Sequence, residues 1–183
     1  MKRPLVLSLL LLFALPIAGG NFVTTISYVP SAYLSIPHFE DELPFRTSMS
    51  NTFIFEPFGY EAETWSVNAS LKGAFVTPSL PWGSYRARGF TSLGLGARFS
   101  YSLTERFALF GSGGIAVNRY TAIEWAFLSF WAEAGLQYTI LETTNTELSA
   151  ILPIMIDLRK EITALSIGLG LRWSFDPYGG GLL

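Results

Sequence analysis

The sequence predicts an all-β protein whose fold is an eight-stranded, antiparallel, up-and-down transmembrane β-barrel. First, the 183 residues are 50% hydrophobic and only 14% charged, and the mean hydropathy of +0.37 is high for a soluble domain. Second, beyond an apolar stretch at the N-terminus, no uninterrupted apolar run is long enough for a membrane-spanning helix. Third, apolar residues alternate with small or polar residues through most of the chain, and a period of two is that of a β-strand.

The composition excludes several classes of protein. Globular proteins carry about a quarter charged residues, and this chain carries fewer. Its low charge and its abundance of apolar and aromatic residues exclude disorder. The 12 Lys and Arg against 14 Asp and Glu give a net charge of −2, which does not indicate a nucleic-acid partner. The chain contains no Cys, which excludes disulfide scaffolds, thiolate metal sites and Cys nucleophiles. We expect no cofactor and no metal.

Residues 1–20 are predicted to form a secretory signal peptide. A basic pair follows the first Met, an apolar run spans Leu5 to Leu15, and Pro16 and small residues end it. This order is typical of a secretory signal, and the apolar run is shorter than the roughly 20 residues that a membrane-spanning helix needs. We expect cleavage after Gly20, with an uncleaved N-terminal anchor as the alternative. Residues 21–183 are then a single barrel domain.

The alternation predicts eight strands in this domain. In the last one, apolar side chains occupy every second position from Leu165 to Phe175, and Ser, Gly or Arg occupy the positions between. This strand is about twice as long as a usual soluble strand. Pro153, at an inward position of the seventh strand, removes a ladder hydrogen bond, and we expect a local bulge there. The predicted strands are 22–36, 47–56, 64–77, 88–102, 106–119, 124–141, 147–158 and 161–175.

The connections between these strands fall at the two ends of the barrel. Those at the end that holds the chain termini lie near 57–63, 103–106 and 141–147, and those at the far end near 37–46, 77–87, 119–123 and 158–161. Short turns at one end and longer loops at the other are typical of outer-membrane barrels. The pattern is met in part, because the last two far-end connections are short and the first connection at the other end is long.

The polar face of the strands is expected to line the lumen and the apolar face to contact lipid. The polar positions are rich in Gly and Ser, which suit a narrow lumen, and they include charged residues that can pair across it. A closed barrel also leaves no backbone group unpaired in lipid. The alternative is a secreted soluble β-sandwich or lipocalin-type barrel with the apolar face in a core. The predicted lumen charge network consists of Lys72, Arg98, Glu133, Asp157 and Arg172.

Aromatic residues near the strand ends are similar to the interfacial girdles of membrane barrels. With the alternation, they make residues 21–175 resemble the OmpA/OmpX-like eight-stranded barrels of the bacterial outer membrane. The family usually ends on an aromatic residue that the barrel-assembly machinery reads, whereas here residues 176–183 follow the last strand. The aromatic residues are Tyr28, Trp65, Phe75, Phe90, Tyr101, Phe107, Tyr120, Trp125, Tyr138, Trp173 and Phe175.

The resemblance implies an integral outer-membrane protein with a structural or surface-interaction role and no catalytic activity. It implies contacts with outer-membrane lipids and lipopolysaccharide-type headgroups, insertion by the barrel-assembly machinery, and a monomeric state. Because side chains fill a barrel of eight strands, we expect a plugged lumen in which the charges pair. A narrow OmpW-like transport barrel for a small or hydrophobic solute is the second hypothesis, and a lipid A-modifying enzyme is the third.

The far-end connections hold the candidate surface residues. The only histidine, His38, lies beside Glu40, Asp41 and Glu42 in the first of them, and Trp82 lies in the second. Lipid A-modifying barrels use a His with a Ser at the outer rim, and Ser79 and Ser84 are in the second connection, but no motif supports catalysis. An acidic solvated loop is the simpler interpretation of the first connection, and weak cation binding is its alternative.

The glycine-rich stretches 94–96 and 111–114 lack the strand–loop–helix context of a phosphate-binding loop. We interpret them as strand glycines at points where the barrel wall or a side chain approaches closely.

Overall fold

The structure, a computed structural model, describes residues 21–37, 46–77, 89–121, 126–160 and 162–175. The predicted signal peptide and its cleavage point lie outside these residues. The strands are β1 Asn21–Pro37, β2 Arg46–Glu61, β3 Trp65–Val76, β4 Phe90–Ser102, β5 Phe107–Tyr120, β6 Ala126–Glu142, β7 Thr146–Leu158, β8 Ile162–Gly168 and β9 Gly170–Phe175. In the described part of the chain, no helix is long and apolar enough to cross a membrane.

Each strand from β1 to β7 pairs antiparallel with the next, and the sheet closes on itself. β1 pairs with β2 on one side and with β8 and β9 on the other, and β7 also pairs with both β8 and β9. β8 and β9 are therefore two parts of one eighth strand, interrupted at Leu169. The prediction of a closed, eight-stranded antiparallel barrel is confirmed.

The strand β2 continues five residues beyond its predicted end at residue 56, to Glu61. Its register against β3 shifts between Phe55 and Phe58, which inserts a β-bulge at Glu56 and Pro57. The bulge accommodates a proline that has no N–H for the ladder. The connection expected over 57–63 is thereby reduced to a turn over 62–64, so this connection is short as well. We call the end that holds Asn21 and Phe175 the near end, and the opposite end the far end.

The apolar face of the sheet points outward, as predicted. In β4, for example, Leu93, Leu95 and Phe99 are 70%, 60% and 50% exposed, whereas Arg98 between them is 2% exposed. In a soluble barrel the apolar set would be the buried one. An apolar exterior around a polar interior, with every strand paired on both sides, is the arrangement that a transmembrane barrel requires.

The interruption of the eighth strand lies between two prolines. The β1 register places Pro30 level with Leu169, and the β7 register places Pro153 level with Gly168. Neither proline has a backbone N–H to donate, and the N–H of Leu169 bonds the carbonyl of Pro30 at 3.3 Å. The bulge expected at Pro153 is not found in its own strand, because Pro153 pairs with Gly135 in unbroken register. The irregularity falls on the neighbouring strand instead.

Candidate functional site

The lumen is the candidate functional site, since every charged residue predicted to line it points inward. Their exposed fractions are 8% or less. This burial follows from the strand period, because a charge placed between two outward apolar residues must face the lumen. The five residues are Lys72, Arg98, Glu133, Asp157 and Arg172. The structure does not join them to one another in ion pairs, and several have partners outside the predicted set.

Arg172 forms an ion pair with Glu56, a residue that the sequence did not mark as a site residue. The Nη2 atom of Arg172 lies 3.1 Å from Oε2 of Glu56, and both side chains are buried. Arg172 also donates to the hydroxyl of Ser174 at 2.8 Å and to that of Thr25 at 3.3 Å. Asn68 donates to the same Glu56 oxygen at 2.8 Å. These charge-assisted bonds compensate for the burial of both ions.

Strand parity places Glu56 at this position, since Thr52, Ile54 and Glu56 are buried while Phe53 and Phe55 are exposed. Beyond Glu56, the bulge shifts the register of the rest of the strand. The bulge is secured by Thr24, whose hydroxyl donates to the carbonyl of Pro57 at 3.2 Å. The inward parity of Glu56, the last residue of the predicted strand 47–56, is the signal in the sequence that could have identified it.

Arg98 belongs to a second polar group, three of whose members (Gln137, Thr139 and Glu147) line the near end of the lumen. Its Nη2 donates to Oε1 of Gln137 at 3.0 Å, and Nε2 of Gln137 donates to Glu147 at 3.0 Å. Glu147 also accepts hydrogen bonds from Thr139 and Ser149. The guanidinium of Arg98 thereby reaches a carboxylate through an amide instead of meeting it directly.

Two aromatic side chains fill the lumen beside these charges. The Arg98 guanidinium lies 3.7 Å from the ring centroid of Phe110, which packs with Val29 and Ile151. The Phe110 ring covers Gly135, where a Cβ would be 2.6 Å from the ring.

The ring of Trp131 covers Gly96, where a Cβ would also be 2.6 Å from the ring. Trp131 in turn lies under Lys72, whose Nζ is 4.3 Å from the ring centroid. The interpretation of 94–96 as a point of close approach is correct for Gly96, because a Cβ there would lie 2.4 Å from the Gly113 carbonyl oxygen of the neighbouring strand as well as against the indole.

Lys72 has no carboxylate partner within ion-pair distance among the described residues. Its Nζ contacts the sulfur of Met155, while Oε1 of Glu133 and Oδ1 of Asp157 lack hydrogen-bond partners there. Cavities of about 10 and 20 Å³ adjoin Lys72, one lined by Glu133 and the other by Asp157. Each is close to the volume that one water molecule requires, so this part of the lumen suits indirect pairing through water.

Aromatic rings and Arg159 occupy the far end of the lumen. Arg159 forms an ion pair with Asp157 at 3.0 Å and a hydrogen bond with the hydroxyl of Tyr33. Phe90, which was expected in the outer girdle, is 4% exposed and packs inside with Tyr33, and Tyr120, expected there too, packs against the same cluster. Both expectations were wrong because aromatic composition near a strand end does not say which face the ring occupies. Trp125 of the expected girdle lies outside the described residues.

The near end of the lumen is open. A cavity of about 630 Å³ is lined there by carboxylates and by the side chains of Arg106 and Arg172. The carboxylate residues are Glu61, Glu63, Glu105, Glu142 and Glu147. The surface candidates His38, Glu40, Asp41, Glu42 and Trp82, together with Ser79 and Ser84, lie outside the described residues.

Solved structures with the same fold are small β-barrels of bacteria. Neisserial surface protein A matches with a TM-score of 0.58 at 11% identity, over 81% of this chain and 95% of that one. Ail of Yersinia pestis, in complex with the heparin analogue sucrose octasulfate, matches with a TM-score of 0.54 at 13% identity, over 85% of this chain and 99% of that one. No family model matches the chain, and no curated protein matches it significantly. The chain therefore has the fold of the small eight-stranded outer-membrane barrels.

Proposed function

We propose that this chain is an integral outer-membrane protein whose barrel is a closed scaffold and whose far-end loops serve surface interactions. Its fold and its apolar outer face support the location. The Ail structure with a bound heparin analogue supports the surface role, since it is a barrel of the same fold that holds a ligand. In this proposal the far end faces outward, the near end faces the periplasm, and the lipid-facing strands contact acyl chains and lipopolysaccharide-type headgroups.

The observation that supports a closed lumen is the series of large side chains that fill it along its length. From the near end to the far end, Arg172, Phe110, Trp131 and Arg159 each have buried partners, and the cavities beside Lys72 are about 10 and 20 Å³. An eight-stranded barrel has room for side chains but not for a wide channel. We infer that hydrated ions do not pass.

Single-channel recording tests this inference. Refolded full-length protein in planar bilayers should give no steady openings above leak. The double variant Phe110→Ala, Trp131→Ala, which removes the two aromatic side chains from mid-lumen, serves as the control and should conduct. Steady openings of the unaltered protein would refute the closed lumen and favour transport of a small solute, for which the near-end cavity would be the vestibule.

We propose that the protein acts without catalysis, as a monomer inserted by the barrel-assembly machinery. The lipid A-modifying hypothesis depends on His38, so His38→Ala tests it directly. Lipid A from cells that carry the unaltered protein or His38→Ala should give identical mass spectra, both matching cells without the protein. A modification that appears with the unaltered protein and disappears with His38→Ala would establish an enzyme.

A further inference from the structure

Aromatic side chains from four strands converge inside the far end of the barrel. Tyr33 of β1, Phe90 of β4, Tyr120 of β5 and Phe127 of β6 lie with ring centroids 5.0–6.4 Å apart. Phe90 is central, in edge-to-face contact with each of the other three. Rings grouped in this way offer the negative faces of their π systems to a cation held among them.

The guanidinium of Arg159 occupies this position. Its Cζ lies 4.3 Å from the ring centroid of Phe90, 4.8 Å from that of Phe127 and 5.8 Å from that of Tyr33. These distances fall within the roughly 6 Å range of cation–π interactions. The Nη2 atom also donates to the Tyr33 hydroxyl and lies 3.0 Å from Oδ2 of Asp157. The Arg159 side chain is only 7% exposed, although the residue follows β7 in a hairpin turn.

In this turn the Arg159 side chain points into the barrel, whereas that of the next residue, Lys160, points outward. The backbone N–H of Arg159 donates to the carbonyl of Ile162 at 3.0 Å, and Lys160 is exposed. A guanidinium gives up its hydration on burial only where other groups replace the water. A planar guanidinium is suited to this place, because its faces stack on rings while its edge donates to oxygen.

Two buried polar atoms at this place, one of Asp157 and one of Arg159 itself, have unused hydrogen-bonding capacity. Oδ1 of Asp157 and Nε of Arg159 are both buried and have no hydrogen-bond partner among the described residues. A free carboxylate oxygen can accept a further N–H. Asp157 therefore keeps one oxygen available for a further N–H of a guanidinium bound at this place.

We propose a guanidinium-binding site at the far mouth of the barrel, formed by Tyr33, Phe90, Phe127 and Asp157. In the unaltered protein, the side chain of Arg159 occupies this site and closes the mouth. Without the Arg159 side chain, the site binds a free alkylguanidinium ion of the same charge and shape. The role of Arg159 in closing the mouth rests on the closed lumen proposed above, whereas binding of the free ion does not depend on it.

Chemical complementation tests the site. Refolded full-length Arg159→Ala is titrated with millimolar methylguanidinium chloride, with sodium chloride at equal ionic strength as the reference and Lys160→Ala as the matched variant. We expect a saturable rise in the midpoint temperature of heat-induced unfolding for Arg159→Ala alone, since the site is filled in the other proteins. Adding Phe90→Ala should weaken binding about tenfold, the effect of one desolvated cation–π contact.

An equal response of Arg159→Ala and Lys160→Ala, or an equal response to sodium, would overturn the proposal. If Arg159→Ala folds poorly, methylguanidinium present during refolding should raise the yield of the form that shifts on heating in SDS gels. No gain in yield would also overturn it. Conductance is not the readout, so the closed lumen could fail while the binding site stands, or the reverse.

Discussion

Arg172 and Glu56 meet inside the lumen across β1, with Nη2 of Arg172 and Oε2 of Glu56 3.1 Å apart. Arg172 is in β9 and Glu56 is in β2, so the ion pair connects the two strands that flank β1. Thr25 of β1 lies between them and accepts a hydrogen bond from Arg172. The pair therefore secures the closure of the barrel, where its first and last strands join.

Breaking this pair should destabilise the barrel strongly. Arg172→Ala or Glu56→Ala leaves the opposite charge buried without its partner, which costs about 3–5 kcal/mol. Urea-induced unfolding in lipid vesicles, followed by tryptophan fluorescence, measures the loss. The double variant Arg172→Met, Glu56→Leu should lose less than either single variant, and Glu63→Gln in the exposed near-end turn should change little. Losses below about 1 kcal/mol in both single variants, the size of an exposed pair, would contradict the assignment.

Gly96 should resist replacement, whereas Gly73 should tolerate it. A Cβ at Gly96 would lie 2.4 Å from the Gly113 carbonyl oxygen and 2.6 Å from the Trp131 ring, but one at Gly73 would meet nothing within 4 Å. Overpacking of this kind costs about 1–3 kcal/mol. Gly96→Ala should lower the free energy of unfolding and shift the tryptophan emission, while Gly73→Ala should leave both nearly unchanged. Equal effects of the two substitutions would show that neither the Gly113 carbonyl nor the indole approaches Gly96 this closely.

The outward side chains of β4 should tolerate replacement by a charged residue according to their depth in the bilayer. Leu95 lies in mid-strand and Tyr101 near the end of the same strand, and both point outward. Arginine costs about 2–4 kcal/mol at the bilayer midplane and about 0–1 near the interfaces. Leu95→Arg should therefore destabilise the folded barrel in vesicles far more than Tyr101→Arg. If Leu95→Arg were neutral, the outer face would be in water and not in lipid.

The wall of the barrel should be weakest where the eighth strand is interrupted. Pro30 and Pro153 flank Leu169, and neither can donate a backbone hydrogen bond. The amides of Gly168, Leu169 and Gly170 should exchange with deuterium faster than the evenly paired amides of β4 and β5, because strand opening is easiest there. Residue-resolved hydrogen exchange in micelles measures this. Protection at 168–170 equal to that of mid-β4 would mean that the ladder is intact in solution.

Much of the fold was predictable because a strand repeats every two residues. Leu93, Leu95 and Phe99 were correctly predicted to face outward, since one face of each strand is uniformly apolar. The inward direction of Arg98 follows from the same parity. The ends of β2 were less predictable, because Pro57 ends the alternation even though a bulge carries the strand on.

The sequence by itself determined the number of strands, the lipid face of each one and the burial of the five lumen charges. Only the tertiary structure decided which charges meet. Strand parity specifies the side on which a residue lies, but whether two residues such as Arg172 and Glu56 meet depends on how far each strand is shifted against the next. The positions of Trp131, Phe90 and Arg159 inside the barrel were decided in the same way, since a closed cylinder brings together side chains that are distant along the chain.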